Sequence, residues 1–227
     1  ISFIALSFVR SAQDIHELRA ILKKNKSSAK IIAKIENQEG LDNIHEITKA
    51  TDIVMVARGD LGIETDLADL PNIQRRIMYA TAKWGKRSIV ATHLLESMIV
   101  NPTPTRAEVT DVANAIYEGA DAVMLSGETS VGKYPVQCIK MLKKIAAKTE
   151  NFRTLGYEEF LSDKSDWQNI AIGARDLASR IDADGIVVVT RSGQTADVIS
   201  STKPFRIPIY AFTNNLDTFQ QLSLVGG

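Results

Sequence analysis

The chain has 227 residues, of which 44% are hydrophobic and 24% are charged, and its 27 basic side chains equal its 27 acidic side chains in number. This balance excludes an overall positive field, so we expect neither nucleic acid nor a membrane surface as a partner. The single cysteine, Cys138, excludes an intrachain disulfide framework. No run approaches the roughly 20 apolar residues of a membrane span.

The first residues, ISFIALSFV, have the composition of a buried strand and carry no basic leader. This start predicts no signal peptide, and we therefore expect a cytoplasmic protein. The chain begins without a methionine, and its last residues, LSLVGG, follow shortly after a strand-and-helix pattern. We expect it to be a piece of a longer polypeptide.

Short apolar runs predict strands in the first part of the chain. They are residues 3–9, 30–35, 52–57, 88–92 and 122–125. The runs do not alternate between hydrophobic and polar residues, which indicates burial on both faces of a parallel sheet. Amphipathic stretches alternate with them and predict helices at residues 12–24, 41–48, 70–84, 106–118 and 136–150.

This alternation of strand and helix predicts parallel strands with right-handed crossovers. About five β/α units fit into residues 1–150, whereas a complete (β/α)8 barrel has eight. The predicted fold class is therefore α/β, with a partial TIM (β/α)8 barrel as the first domain. Thr105 and Glu108 have the spacing of a capping box and mark the start of one predicted helix.

Residues 151–168 are polar, acidic and aperiodic, which predicts a linker or domain boundary. The strand-and-helix pattern resumes over residues 169–227, which we interpret as an incomplete, smaller α/β C-terminal domain with three layers. Its predicted strands are residues 185–190 and 209–213, and its predicted helices are residues 170–181, 195–201 and 218–223.

Charged side chains lie at the ends of two consecutive predicted strands. Lys34 and Glu36 are two residues apart and therefore share one face, and Gly59 and Asp60 follow the next strand. Function in parallel α/β proteins gathers at the carboxyl ends of the strands. The carboxylates of Glu36 and Asp60 suit Mg²⁺ or Mn²⁺. The pattern therefore predicts a metal ion and an anionic substrate at this edge.

Each of these residues has a structural alternative. Glu36 could cap the next helix and Asp60 could form a turn. Lys34 could form a salt bridge with either carboxylate instead of neutralising a transferring phosphoryl group or an enolate. Gly59 either offers its N–H to a ligand carboxylate or is only a turn glycine. Thr92 either donates its hydroxyl to the same anion or is a buried threonine at a strand end.

Two later motifs are also candidates. The SGET segment, residues 126–129, either contacts a ligand or merely ends the last barrel strand. The segment after GIVVVT combines hydroxyls, a glycine and helix N–H groups, which is typical of an anion site, and a plain N-cap is the alternative. We expect a regulatory role there, because the segment lies in the second domain. Its residues are Thr190, Arg191, Ser192, Gly193, Gln194 and Thr195.

A set of motifs resembles the pyruvate kinase family. The motifs are KIIAKIENQEG, MVARGDLGIE, ATHLLESMI, PTRAEVTDVANAIYEGADAVMLSGET and KYP, in this order along the chain. The resemblance runs from the first residue to about Asn214. It implies a (β/α)8 barrel, an inserted lid domain and a C-terminal α/β domain. The implied enzyme acts in glycolysis and moves phosphoryl from phosphoenolpyruvate to ADP, giving pyruvate and ATP.

The resemblance also implies roles for individual residues. Lys34 matches the family lysine that stabilises the phosphoryl transition state, and Glu36 and Asp60 match the metal ligands. Gly59, Asp60 and Thr92 match positions around the substrate carboxylate and phosphate. The loop at residues 190–195 lies where many members bind a sugar-phosphate activator. The family is usually a homotetramer that uses Mg²⁺ and commonly K⁺, whose ligands precede this chain in the family pattern.

Two departures from the family pattern qualify these expectations. His93 stands where the family commonly has Gln, and we expect small consequences because Thr92 is kept. The first three barrel strands, the lid domain and the end of the C-terminal domain have no counterpart, so we expect the chain alone to be inactive. The alternative functions are a metal-dependent aldolase or lyase that acts on a pyruvate enolate, and a non-catalytic assembly module.

Overall fold

The structure is a computed structural model that describes residues 1–162 and 165–226. Its first unit is a five-stranded sheet in which each strand pairs with the next one along the chain, and every pair is parallel. The predicted parallel α/β architecture is therefore confirmed. The strands are β1 (Phe3–Leu6), β2 (Lys30–Ile35), β3 (Ile53–Ala57), β4 (Arg87–Ala91) and β5 (Ala122–Met124).

Helices connect and follow these strands. The described part of the chain contains no helix with the length and apolarity needed to cross a lipid bilayer. The helices of the first unit are α1 (Ala12–Lys24), α2 (Gln38–Asp42), α3 (Ile44–Ala50), α4 (Arg58–Glu64), α5 (Leu70–Lys83), α6 (Arg106–Tyr117), α7 (Gly127–Ser130) and α8 (Pro135–Thr149).

Several elements differ from the sequence-based prediction, and three differences lie near the strand ends of the first unit. β1 ends at Leu6 rather than at residue 9, because the backbone of Phe8 turns into the left-handed region with a φ of 52°. Residues 41–48 do not form one helix, because Asn43 ends α2 and its side chain donates to the carbonyl oxygen of Arg10. The glycine-containing segment after β3 forms α4 rather than an open turn.

The central strands of the sheet are buried on both faces. Ile31 and Ile35 of β2 belong to the main core, which the helices cover. Ile32 belongs to a smaller core on the opposite face, and Leu224 from the end of the chain packs against it. Lys34 lies two residues after Ile32 and therefore on this second face.

The second unit contains a two-stranded parallel sheet. The described part of the predicted linker holds a 3₁₀ helix, Tyr157–Phe160, and the start of the helix Asp166–Arg180, so the boundary at residues 151–168 stays a prediction. Asp163 and Lys164 of that linker, and Gly227 of the predicted last domain, lie outside the described residues. The elements are α9 (Asp166–Arg180), β6 (Ile186–Val189), α10 (Gln194–Ser201), β7 (Ile209–Phe212) and α11 (Leu216–Leu222).

One face of this small sheet is apolar and open to solvent. Val187 and Val189 of β6 are exposed on it, together with Tyr210 and Phe212 of β7. The other face packs into a core with α10. The three-layer arrangement that the sequence predicts for this domain therefore stays a prediction.

The second unit packs against the amino-terminal ends of the first unit's strands. Arg87, the first residue of β4, donates from Nε to Asp197 Oδ1 at 2.8 Å and from Nη1 to the carbonyl oxygen of Gln221 at 2.7 Å. Burial raises the pKa of the Asp197 carboxyl, and Arg87 opposes that shift. Lys203 pairs with Asp121, which precedes β5. The predicted catalytic, metal and substrate residues, Lys34, Glu36, Gly59, Asp60 and Thr92, lie at the other end of the strands.

Candidate functional site

The end of β2 places a lysine and a glutamate in direct contact. Lys34 Nζ lies 2.6 Å from Glu36 Oε1 and 3.0 Å from Ser7 Oγ. The other carboxylate oxygen of Glu36 accepts a 2.6 Å hydrogen bond from the backbone N–H of Phe8. Glu36 is only 1% exposed, whereas the Lys34 side chain is 25% exposed. The structure therefore contains the salt bridge that the sequence left as an alternative for Lys34, and the ammonium still reaches solvent.

A neighbouring asparagine, and not Glu36, caps the next helix. Asn37 Oδ1 accepts a 2.8 Å hydrogen bond from the N–H of Gly40 at the start of α2. Gly40 also approaches the preceding loop so closely that a Cβ there would lie 2.4 Å from the carbonyl oxygen of Val9. The capping alternative for Glu36 is therefore wrong, and its carboxylate is left for Lys34 and Phe8.

The next strand delivers the second carboxylate. Asp60 lies in the first turn of α4, where a negative charge interacts favourably with the helix dipole. It is half-buried, and within the described residues it has no hydrogen-bond or ion-pair partner. Ile35 pairs with Val56, so β2 and β3 end side by side. Glu36 and Asp60 therefore leave adjacent strands at the same edge of the sheet.

Thr92 and His93 form a kink directly after β4. Both residues have left-handed backbone conformations, with φ values of 70° and 54°, and such conformations cost roughly 1–2 kcal/mol each in residues other than glycine. The kink brings Thr92 Oγ1 within 2.8 Å of the Gly59 N–H, which donates to it, while the hydroxyl donates to the carbonyl oxygen of Ala91 at 2.6 Å. The structure thus brings Gly59 and Thr92 together.

Arg58, for which the sequence alone predicts no role, holds this kink in place. Its guanidinium donates to the Thr92 carbonyl oxygen from Nε at 3.2 Å and from Nη2 at 2.7 Å, and to the His93 carbonyl oxygen at 3.2 Å. A fourth bond of 2.7 Å reaches Asp111 Oδ1 on α6. Arg58 is only 7% exposed. The sequence feature that could have indicated this role is an arginine directly after a buried strand. A charged side chain is rarely buried unless it is paired, so its position suggests a structural partner.

The SGET segment has a structural role in this fold. Glu128 is 2% exposed, and its carboxylate accepts hydrogen bonds from the N–H groups of Leu95 at 3.1 Å and Ser126 at 2.8 Å. These bonds join the loop after β5 to the loop after β4. Both carboxylate oxygens are thus committed to backbone donors, which supports the structural alternative for this motif.

The segment at residues 190–195 folds as a helix start. Gly193 is the N-cap of α10 with a φ of 84°, and its N–H donates to Thr190 Oγ1 at 3.0 Å. Arg191 has an exposed side chain, and its carbonyl oxygen accepts a 2.8 Å hydrogen bond from Thr218 Oγ1. These contacts account for the shape of the loop. Anion binding by Ser192, Gln194 and Thr195 stays a prediction.

The donor atoms at the strand ends fit one class of metal ion. Across residues 1–162 and 165–226, no cluster of three or more His, Cys, Asp or Glu side chains could hold a metal. Mg²⁺ is commonly held by one or two carboxylates together with substrate oxygens and water. Glu36 and Asp60 therefore fit Mg²⁺ or Mn²⁺, and they do not fit zinc, which prefers sulfur and nitrogen ligands.

The fold and these residues define a class of protein. A parallel β/α sheet packs against a second α/β unit. The carboxyl ends of its strands hold a cation, two carboxylates and a hydroxyl, and barrel enzymes have their active sites at this end of the sheet. A family model described as pyruvate kinase, barrel domain, matches residues 1–139, and one described as pyruvate kinase, alpha/beta domain, matches residues 168–227. The chain belongs to the pyruvate kinase family.

Individual relatives agree with this assignment. The chain is 43% identical over 226 residues to a pyruvate kinase of Methanocaldococcus jannaschii and covers 50% of it. It is 44% identical over 231 residues to a pyruvate kinase of Borreliella burgdorferi and covers 48% of it. These alignments include 99% and 100% of this chain. The chain therefore spans about half the length of the curated relatives it matches.

Solved structures give the same result for the fold. A pyruvate kinase from Pyrobaculum aerophilum superposes with a TM-score of 0.94 at 34% identity, and the match covers all of this chain and 52% of that one. A pyruvate kinase from Cryptosporidium parvum superposes with a TM-score of 0.96 at 36% identity, over all of this chain and 49% of that one. The predicted partial barrel followed by a C-terminal α/β unit is therefore confirmed.

Proposed function

We propose that this chain contributes to a pyruvate kinase activity, in which the phosphoryl group of phosphoenolpyruvate passes to ADP and yields pyruvate and ATP. Family membership along the chain supports the proposal. The observation that carries it is the contact of Lys34 with the buried Glu36 at the end of β2, next to strands whose ends bring Gly59 and Thr92 together. Because the chain spans about half of its relatives, the activity is proposed for a whole protein that contains it.

Glu36 and Asp60 are the proposed ligands of Mg²⁺ or Mn²⁺. When bound, such an ion supplies positive charge that stabilises phosphoryl oxygens and the pyruvate enolate. Phe8 fixes the orientation of the Glu36 carboxylate through its N–H, at 2.6 Å. Asp60 has no competing partner among the described residues, so its oxygens are available as ligands.

Lys34 is the proposed catalytic cation. Phosphoryl transfer requires positioning and electrostatic stabilisation more than covalent chemistry. The Lys34 ammonium is held by Glu36 and Ser7 on one side and is a quarter exposed on the other. It can therefore donate to an oxygen of the transferring group from a position that is already fixed, which is where preorganised charge contributes most.

Gly59 and Thr92 are the proposed contacts for the substrate carboxylate and phosphate. The Gly59 nitrogen and the Thr92 hydroxyl oxygen are 2.8 Å apart. An anionic oxygen that replaces their mutual contact would accept from both once the hydroxyl rotates away from the Ala91 carbonyl oxygen, to which it donates in the structure. Arg58 keeps Thr92 in this position through the carbonyl oxygens of the kink. The substrate would thus be oriented by one backbone donor and one hydroxyl donor on neighbouring strands.

Several further properties are proposed from family membership alone. They are the use of K⁺ as a second ion, assembly as a homotetramer, a cytoplasmic location and binding of a sugar-phosphate effector at residues 190–195. The residues that the family pattern assigns to that effector loop are Thr190, Arg191, Ser192, Gly193, Gln194 and Thr195.

A coupled assay tests the proposed activity. Pyruvate formation from phosphoenolpyruvate and ADP is followed with lactate dehydrogenase and NADH, both for the 227-residue chain and for any longer gene product that contains it. We expect turnover from the longer product and none from the chain alone. Cleavage of a pyruvate-derived aldol by the longer product, without ADP-dependent turnover, would overturn the proposal in favour of an aldolase.

The same assay tests the role of Lys34. Lys34→Met should lower kcat by about 10³-fold or more with little change in KM, because the interaction strengthens in the transition state. The control is Lys140→Met, which removes an exposed lysine on α8. Turnover of Lys34→Met near that of the control would remove Lys34 from the catalytic role.

A further inference from the structure

A cavity of about 710 Å³ opens between the first and second units. One wall is formed by the ends of α6 and α8 and the segment after α8, and the other is formed by α9 and the loop that precedes β7. This volume is in the range that holds a small organic ligand. Lys34, Glu36 and Asp60 do not line it, so the cavity is separate from the site at the strand ends.

Two arginines from opposite walls converge on one aromatic ring in this cavity. The guanidinium carbons of Arg153 and Arg206 each lie 5.2 Å from the centre of the Phe205 ring. Each cation is stabilised by the ring, but two cations at one ring also repel each other. Within the described residues, neither guanidinium has a carboxylate at ion-pair distance. The arrangement therefore concentrates positive charge that the described residues do not neutralise.

The donor capacity of these two arginines is largely unused. Arg153 has no hydrogen-bond acceptor among the described residues, and Arg206 uses one N–H on the carbonyl oxygen of Asn151 at 2.9 Å. By contrast, Arg175 in the same cavity is paired with Asp176 at 2.7 Å. A guanidinium offers five N–H donors in a planar fork that matches the oxygens of a phosphate group.

The loop that presents Phe205 and Arg206 is held in a costly conformation. Lys203 and Arg206 both have left-handed backbones, with φ values of 47° and 59°, which cost roughly 1–2 kcal/mol each. Contacts from Lys203 to Asp121 in the first unit and from Arg206 to Asn151 in the segment after α8 hold them there. Strain of this kind is concentrated at functional sites in proteins.

The remaining charges of the cavity restrict the ligand further. Glu150, Glu158 and Glu159 also line it, so a ligand with negative charge along its whole length would be repelled. Carboxylates accept hydrogen bonds from hydroxyl groups. A molecule with a phosphate at one end and hydroxyl groups on the rest could place the phosphate at the arginines and the hydroxyl groups at the carboxylates.

We propose that the cavity between the two units is a binding site for a small phosphorylated polyol, whose phosphate is held by Arg153 and Arg206 beside Phe205. The ligand bridges the two walls of the cavity, because Arg153 belongs to the segment after α8 and Arg206 belongs to the loop that precedes β7. This site does not depend on the proposed catalytic function, and it is separate from the loop at residues 190–195.

Isothermal titration calorimetry on the 227-residue chain tests this site. The probes are glycerol 3-phosphate, inorganic phosphate, glycerol and malonate. We expect glycerol 3-phosphate to bind more tightly than phosphate, and glycerol to show no binding. Arg153→Gln should weaken glycerol 3-phosphate by about tenfold, which corresponds to about 1.4 kcal/mol. Arg153→Lys should recover part of the loss, because it keeps the charge without the fork.

Two control variants locate the binding. Arg180→Gln removes an exposed arginine at the end of α9, and Arg191→Gln removes the arginine of the 190–195 loop. Both should leave the affinity for glycerol 3-phosphate unchanged. The proposal is overturned if Arg153→Gln and the unmodified chain bind glycerol 3-phosphate equally well, or if only Arg191→Gln loses affinity for it. It is also overturned if malonate binds more tightly than glycerol 3-phosphate, or if glycerol 3-phosphate shows no saturable binding below about 10 mM.

Discussion

Arg58→Met tests whether a buried guanidinium maintains the kink that carries Thr92. In the structure this side chain donates to the carbonyl oxygens of Thr92 and His93 and to Asp111. Methionine keeps most of the apolar stem and removes all of these donors. The perturbation therefore isolates the hydrogen bonds from the packing of the side chain.

The expected loss of stability follows from the exposure of the three acceptors. The half-buried Thr92 carbonyl loses two charged donors, which costs about 1–3 kcal/mol. The His93 residue is exposed and the Asp111 side chain is 36% exposed, so both regain water and add less than about 1 kcal/mol each. Relaxation of the left-handed backbone at Thr92 and His93 recovers part of this cost. We expect a net loss of about 2–3 kcal/mol in the free energy of unfolding.

Urea denaturation and amide hydrogen exchange measure this effect. The midpoint should fall without a change in slope, and the Gly59 amide should exchange faster because relaxation of the kink breaks its bond to Thr92 Oγ1. Arg58→Lys keeps one charged donor and should lose about half as much. Arg180→Met, at an exposed position on α9, is the control. A loss below about 0.5 kcal/mol in Arg58→Met, with unchanged exchange at Gly59, would refute the role assigned to this arginine.

Three further predictions concern stability. Lys34→Met should lower the free energy of unfolding measured with urea by about 3 kcal/mol, because it leaves the buried Glu36 carboxylate without its cation. Added Mg²⁺ should recover part of that loss, and no recovery would argue against metal binding at Glu36. Burial raises the pKa of Glu108, but hydrogen bonds from Ser97 and Thr105 hold it below 4.5. The stabilisation that the ionised Glu108 provides is therefore present above pH 4.5 and is lost as the pH falls through the folded-state pKa. Glu108→Gln should accordingly lower the free energy of unfolding by about 1 kcal/mol at pH 7 and by almost nothing in acid. A difference that does not change with pH would contradict this. Gly40→Ala should lower the free energy of unfolding by more than about 2 kcal/mol, because the new Cβ would meet the Val9 carbonyl oxygen. The control is Gly173→Ala on α9, whose new Cβ would meet no atom within 4 Å and should leave the stability unchanged or raise it. Equal effects of the two substitutions would contradict the close approach at Gly40.

The sequence predicted the elements whose signal is local. The apolar runs that became β2 to β5 and the amphipathic stretches that became α1, α5, α6 and α8 are set by periodicity and by caps, such as the Thr105 and Glu108 box. The break at Asn43 was not predicted, because it depends on a hydrogen bond to Arg10, which is distant in sequence. The early end of β1 likewise depends on the bond from Phe8 to Glu36.

The site divides in the same way. The spacing of Lys34 and Glu36 placed them on one face of a strand, and the structure brings them into contact. The roles of Arg58 and Glu128 were missed because their partners, the backbone groups of the loops after β4 and β5, are defined only once the sheet has formed. Charge and spacing in a sequence identify candidate ligands, but they do not reveal which buried charged side chains form hydrogen bonds with distant backbone groups.

Calorimetric titration of the chain with Mn²⁺ tests most directly whether Glu36 and Asp60 share one divalent ion. We predict one site, and we expect Glu36→Gln and Asp60→Asn each to weaken it by at least about tenfold, or about 1.4 kcal/mol. The double variant should show no measurable site, because neither carboxylate ligand then remains. Glu64→Gln, at an exposed position on the same helix as Asp60, should bind like the unmodified chain. An unchanged titration in Asp60→Asn would contradict the shared site.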